Sequence, residues 1–180
     1  DRKKLFKILG KNFNSAGERV WLKRRFKEYK IEDGDLSKLK MRMDIVPVSL
    51  ALAQAANESG WGTSRFAKEY NALFGQYTYD ETKGIIPYER EVGKKHLIKN
   101  FSSIDKSVES YFTNINTHYA YKEFRKIRNN IKKENFDIKL LTQALNVYAA
   151  DEYYVQTLNS IIDSNNLTQF DDYNFSVVNS

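Results

Sequence analysis

Val46-Pro-Val-Ser-Leu-Ala-Leu-Ala-Gln-Ala-Ala-Asn-Glu58-Ser-Gly-Trp-Gly-Thr-Ser64 is the stretch on which the fold turns. Pro47 suits the first turn of a helix, where its missing N–H has no partner to lose. Good helix formers follow, with Val48, Ala51, Leu52 and Ala55 at the spacing of one buried face. Gly60 and Gly62 end the helix, because glycine takes left-handed conformations that other residues avoid. Glu58 therefore falls in the last helical turn. There the helix dipole disfavours a negative charge and raises a carboxyl's pKa. The residues before it are almost all apolar, which predicts a partly desolvated carboxyl. A carboxyl held protonated near neutral pH can donate a proton to a leaving oxygen. The competing reading is a solvated glutamate at a frayed helix end, where most glutamates are exposed.

Working outward, the 180 residues fit one domain with a sizeable core. Hydrophobic residues make up 41%, which fits a globular chain and not a disordered one. No apolar run approaches the roughly 20 residues of a membrane span, so no stable membrane insertion is expected. The chain has no cysteine, which excludes disulfides and thiolate metal sites. His96 and His118 are too far apart in sequence for a zinc motif, so no metal and no other cofactor is expected. The net charge of +6 favours an anionic partner: nucleic acid, a membrane surface or an acidic cell-wall polymer. No nucleic-acid-binding motif is present, and no nucleic-acid partner is expected. The tyrosines and phenylalanines can stack sugars or bases, or fill the core.

Residues 1–40 read as a basic, helical extension packed on the core, with Leu5, Ile8, Leu9, Val20, Trp21 and Leu22 as patchy apolar faces. Ile31–Leu36 reads as a loop, with a helix N-cap at Asp35 or Ser37. A core domain over 41–165 follows. Thr63–Tyr70 reads as a short helix and Asn71-Ala-Leu-Phe-Gly75 as a turn. Residues 76–101 cluster β-formers around Gly84 and Gly93 and predict a small, mobile β-hairpin lobe. From Ser102 the helical spacing returns, with Ile104, Val108, Tyr111, Phe112 and Ile115 on one face. Further helices are expected over 119–129, 137–149 and 151–165. The C-terminal tail, 166–180, reads as a packed extended segment or as disorder.

Gln54-Ala-Ala-Asn-Glu58-Ser-Gly-Trp-Gly-Thr-Ser-Arg-Phe-Ala67, with Asn71-Ala-Leu-Phe-Gly75 after it, resembles the bacterial peptidoglycan β-N-acetylglucosaminidases of glycoside hydrolase family 73, which include flagellar hydrolases and autolysins. Ser107-Val-Glu-Ser-Tyr111 and Asn114-Ile-Asn-Thr-His118-Tyr-Ala-Tyr121 resemble the Bax-type subgroup. The resemblance covers roughly residues 42–163. It implies a mainly α (α+β), lysozyme-like fold with a small β-lobe beside an active-site cleft. It also implies an endo-β-N-acetylglucosaminidase that cuts the β-1,4 bond after N-acetylglucosamine, with Glu58 as general acid. Glu-Ser-Gly is also how goose-type lysozymes and lytic transglycosylases present their catalytic glutamate, so a transglycosylase forming 1,6-anhydro products is the first rival. A non-catalytic wall-binding domain is the second.

Glycoside hydrolysis usually asks for a second carboxylate. The resemblance points to Glu89, a few residues before Gly93. Glu91 lies two residues on, toward the same strand face; exposed hairpin charges are the competing reading for both. The substrate's own acetamido group is a third candidate. In Tyr148-Ala-Ala-Asp151 the resemblance makes Tyr148 the active-site tyrosine, against a plain core tyrosine. Ser59, Trp61, Asn71, Phe74 and His118 are the candidate substrate-binding residues. Trp61 and Phe74 stack a pyranose, or Trp61 only locks the Glu58 turn. Asn71 holds the carboxyl or shapes its own turn. Asn114 and His118, four apart on a helix, share a face as a polar cluster or subsite wall. The implied partner is the glycan strand of peptidoglycan, acted on by a monomer. The start, Asp1-Arg-Lys-Lys4, shows no export signal; because that substrate lies outside the cytoplasmic membrane, a periplasmic, cell-envelope or extracellular location is expected, with the signal removed.

Overall fold

In the computed structural model, residues 1–87, 95–131 and 136–171 are described. Polar caps start most of the helices. Ser15 accepts the Glu18 N–H while the Glu18 carboxylate accepts the Ser15 N–H at 2.9 Å, a capping box that opens α2 (Ala16–Glu28) behind α1 (Arg2–Leu9). Asp35, not Ser37, caps α3 (Leu36–Arg42). These three helices close their own apolar cluster of Leu5, Ile8, Leu22, Ile31, Leu39 and Met43.

The decisive stretch forms α4 (Val48–Ser59). It turns only part of the face that its apolar spacing predicts toward the core: Ala51 and Ala55 pack against it, and the rest does not. Val48 and Leu52 are 36% and 42% exposed, whereas Leu50, Ala53 and Gln54 are fully buried. The helix is apolar on nearly every side, so periodicity could not choose its inward face. Polar Gln54 is inside because its amide finds partners there. α4 packs against α9 (Tyr154–Ser164) and against a 3-10 turn at Leu167–Phe170. The start of the expected tail is thus ordered structure. Its Asp171 carboxylate accepts the Ser49 N–H at 2.9 Å and the Ser49 hydroxyl, satisfying a free donor in the first turn of α4.

After α5 (Arg65–Tyr70) the chain enters the lobe: β1 (Tyr77–Thr78), β2 (Gly84–Ile85) and β3 (Leu97–Lys99). This is a three-stranded antiparallel sheet, not a simple hairpin. β3 lies in the middle, pairing Tyr77 with Ile98 on one side and Gly84 with Lys99 on the other. A Cβ on Gly84 would fall 2.5 Å from Leu97 Cβ and 2.7 Å from Thr78 Cγ2, so β2 sits this close only because it has no side chain there. Glu89 and Glu91 lie outside the described residues.

α6 (Ile104–Thr117), the 3-10 turn Tyr119–Tyr121, α7 (Lys122–Asn130), α8 (Ile138–Gln143) and α9 complete the body. The helix expected over 137–149 stops at Gln143. Leu145 N–H then bonds the Thr142 carbonyl and Tyr148 N–H the Leu145 carbonyl, both three residues back. These tight turns bring Leu145 and Tyr148 to the core together. The main cluster gathers Leu50, Ala53, Phe74, Tyr111, Ile115, Phe124, Leu141, Leu145, Tyr154, Leu158 and Ile162.

Buried Arg128 joins this body to the amino-terminal helices. It donates to the Met41 carbonyl, the Ile45 carbonyl and Asn116 Oδ1, each at 2.8 Å. Asp44 stands 3.8 Å from Arg128 Nε and 2.9 Å from Arg2. Burial lowers the Arg128 pKa to about 10, against the pull of Asp44, and the side chain stays charged at neutral pH.

Candidate active site

α4 ends as its glycines demand. Gly60 is left-handed at φ +56, and the Trp61 N–H reaches back to the Ala56 carbonyl at 2.7 Å. The Ser59 hydroxyl donates to the Ala55 carbonyl at 2.5 Å and accepts the Gly62 N–H at 2.8 Å. Ser59 is buried and holds the turn together. Trp61 is itself left-handed, at φ +58, and 63% exposed. This turn fixes Glu58 at the wall of a cleft of about 900 Å³ between the β-lobe and the helical body.

Leu50, Gln54 and Glu58 follow one another at four-residue steps along one side of α4. A buried chain of hydrogen bonds runs up that side. The Tyr111 hydroxyl donates to Gln54 Oε1 at 2.6 Å, and Gln54 Nε2 donates to the Tyr154 hydroxyl at 2.9 Å. The Tyr154 hydroxyl in turn hydrogen-bonds the Glu58 carboxyl, beside a longer contact from Asn57 Nδ2 at 3.5 Å. Burial raises the Glu58 pKa, and the two hydrogen bonds only partly oppose it. Opposite the carboxyl lies Gly75, left-handed at φ +57. A Cβ there would stand 3.0 Å from Glu58 Oε2, so glycine leaves the carboxyl its space.

Tyr148 faces the same cleft. Its hydroxyl donates to the Phe74 carbonyl at 2.8 Å, and its ring stacks parallel to Tyr154 at 5.8 Å. Burial raises its pKa well above the usual phenol value, and the nearby Glu58 charge adds to the rise, so the proton stays on. Phe74 is buried and stacks on Tyr111 at 4.0 Å, with part of its surface lining the cleft. His118 follows the last residue of α6 and lines the cleft; its Nδ1 accepts the Ala120 N–H, and its ring packs on Tyr119 at 4.5 Å. Asn114 also lines the cleft and hydrogen-bonds the Tyr121 hydroxyl.

The cleft thus brings together Glu58, Phe74, His118 and Tyr148. It does not include Ser59, Trp61 or Asn71. Asn71 is left-handed at φ +53 and donates to the Phe101 carbonyl at 3.0 Å, tying the turn before the lobe to the strand leaving it. Sequence reasoning missed Gln54, Tyr154 and Gly75. The four-residue step from Gln54 to Glu58 was a signal that could have found the first. Nothing in the sequence linked Tyr154, nearly a hundred residues away, to that carboxyl. Among the described residues no group of His, Asp and Glu side chains has the arrangement of a metal site.

The chain has relatives in sequence and in structure. A sequence model of the Glucosaminidase family, described as mannosyl-glycoprotein endo-beta-N-acetylglucosaminidase, matches residues 35–167. Protein bax of Escherichia coli (strain K12) is 38% identical over 130 residues, 69% of this chain. The match spans 46% of that relative's own length, less than half of it. The catalytic domain of the autolysin Auto from Listeria monocytogenes has a similar structure, with a TM-score of 0.55 and 23% identity over 92% of this chain and 93% of that one. An N-acetylmuramoyl-L-alanine amidase from Staphylococcus aureus is also similar, with a TM-score of 0.54 and 27% identity over 86% of this chain and 42% of that one.

Proposed function

The chain belongs to the glucosaminidase family, and from that premise we propose that it hydrolyses peptidoglycan, cutting the β-1,4 bond after N-acetylglucosamine in the glycan strands. The observation that carries this reading is the Glu58 carboxyl. It stands in a cleft of about 900 Å³, with its pKa raised by burial, its orientation held by Tyr154 and its space left by Gly75.

Glu58 donates its proton to the glycosidic oxygen as the bond to C1 breaks, and the bonding pair leaves with that oxygen. Positive charge develops at C1. The Tyr148 proton is committed to the Phe74 carbonyl, so its hydroxyl oxygen offers lone pairs to that charge. Glu89, the substrate's acetamido group, or both, complete the support of C1. Water supplies the hydroxyl to C1 and a proton that restores the carboxyl. Phe74 and His118 contribute walls for the sugars. Ser59, Trp61 and Asn71 serve the reaction by holding the turns on either side of Glu58. The enzyme acts as a monomer, in the periplasm, cell envelope or outside the cell, where its substrate lies. No helix among the described residues is long and apolar enough to cross a membrane.

The test is a digest of purified peptidoglycan by wild type and Glu58→Gln, with soluble products weighed by mass spectrometry. The expected products end in reducing N-acetylglucosamine and vanish in the variant. Anhydro-sugar products, lighter by one water, would make the chain a lytic transglycosylase. Binding to the wall without product would leave only a binding domain.

A further inference from the structure

We propose that Lys30 and Lys99 form an anion subsite in the cleft, and that it takes a carboxylate of the stem peptide carried by the glycan strand. This inference rests on the glucosaminidase reading above.

The cleft is unevenly charged. Lys30, Lys95 and Lys99 line it, and Glu58 is the one carboxylate among its described lining residues. Lys99 is half-buried on β3. Its ammonium donates to the Ser110 hydroxyl at 2.8 Å and lies 5.2 Å from the Phe101 ring centre, and no described carboxylate pairs with it. Burial lowers its pKa, and the charges of Lys83 and Lys30 lower it further. Lys83 has its own partner, Asp80, at 2.9 Å. Lys30 and Lys99 therefore hold positive potential in this corner without a described counter-ion, which is the condition for attracting an anion.

Lys30 is not a passing surface lysine. It follows α2 in the left-handed region, at φ +54, a place where glycine or asparagine is usual. The Ile31 N–H bonds the Phe26 carbonyl at 2.8 Å, and Arg42 donates to both the Tyr29 and Lys30 carbonyls at 2.8 Å. The turn after α2 thus holds Lys30 in place and presents one cation to the cleft. A strand lying past Glu58 carries a peptide on every second sugar, so carboxylates come within reach of this corner at the repeat of the polymer itself. A phosphate of a secondary wall polymer shares the chemistry but attaches only at scattered points.

The test compares kcat/KM on glycan strands bearing stem peptides with the same strands stripped by an amidase. Wild type is expected to prefer the peptide-bearing strands. Lys30→Gly with Lys99→Gln should cut that preference about tenfold through KM, the scale of two solvent-screened ion pairs. Lys30→Gly also relieves the left-handed backbone, so loss of folding is not the expected cause. Blocking the stem carboxylates as methylamides should produce the same drop in wild type, and Lys99→Arg should restore the preference. An unchanged preference in the double variant, with wild type active, would overturn the subsite and leave the glucosaminidase reading standing. A drop confined to stripped strands carrying a phosphodiester polymer would overturn the stem-peptide assignment. No product from wild type on any strand would overturn the enzyme reading and this inference with it.

Discussion

At Glu58, burial and the carboxyl end of α4 favour the protonated form, while the Tyr154 and Asn57 hydrogen bonds favour the carboxylate. Burial is the larger effect, so the folded pKa lies above the ordinary 4.5. A carboxyl with a raised folded pKa contributes its full stability below pH 4.5, and that contribution is lost as pH rises through the folded value. Glu58→Gln should therefore unfold at a higher temperature than wild type at neutral pH, with the difference shrinking to nothing below about pH 4. Thermal melts across pH check this; a variant less stable at neutral pH would refute the burial argument. Tyr154→Phe removes a hydrogen bond that lowers the Glu58 pKa. The alkaline limb of kcat/KM should then move to higher pH, since the acid keeps its proton longer. A downward move would mean that Tyr154 stabilises the neutral carboxyl instead. The glutamate was legible in the sequence because two glycines mark the helix end beside it. Its neighbours Tyr154 and Gly75 were not, because each meets the carboxyl only after long stretches of chain have folded back on α4.

The elements show where periodic reading works and where it fails. α6 follows its apolar spacing from its second turn on, with Tyr111 and Ile115 fully buried and Val108 and Phe112 packed against the core, whereas Ile104 in its first turn is 53% exposed. α4 is apolar on nearly every side. Its true orientation is set by Gln54 meeting Tyr111 and Tyr154, and by Asp171 meeting Ser49 across 122 residues of chain. Asp171→Ala leaves that first turn without its cap and should cost about 1 kcal/mol of stability. Urea unfolding measures it, and a loss within error of zero would show that water replaces the carboxylate fully. The helix expected over 137–149 failed for a similar reason. Ala144–Tyr148 has only weak helix breakers, and the pull of Leu145 and Tyr148 into the core outweighs local propensity.

For the whole molecule, the question is how an amino-terminal unit with its own apolar cluster stays joined to the body. Arg128 is the clearest link, since one buried guanidinium satisfies two carbonyls of the 41–45 segment and Asn116 of α6. Arg128→Ala would strand those groups, while Asp44 keeps Arg2, and should cost on the order of 3 kcal/mol. Chemical denaturation would show this as a lower midpoint, and an unchanged midpoint would reassign the join to apolar contact alone. Because Lys30 reaches the cleft from the amino-terminal side, weakening this join should also disturb the cleft. The sequence by itself determined the mainly helical class, the glycine-ended helix with its glutamate, and the place of the lobe, since these depend on residues near one another along the chain. The tertiary structure alone decided which face of α4 turns inward, which tyrosine holds the carboxyl, and that Lys30 of the amino-terminal part lines the cleft. Those outcomes depend on which distant polar groups can satisfy one another once buried, and no local pattern encodes that pairing.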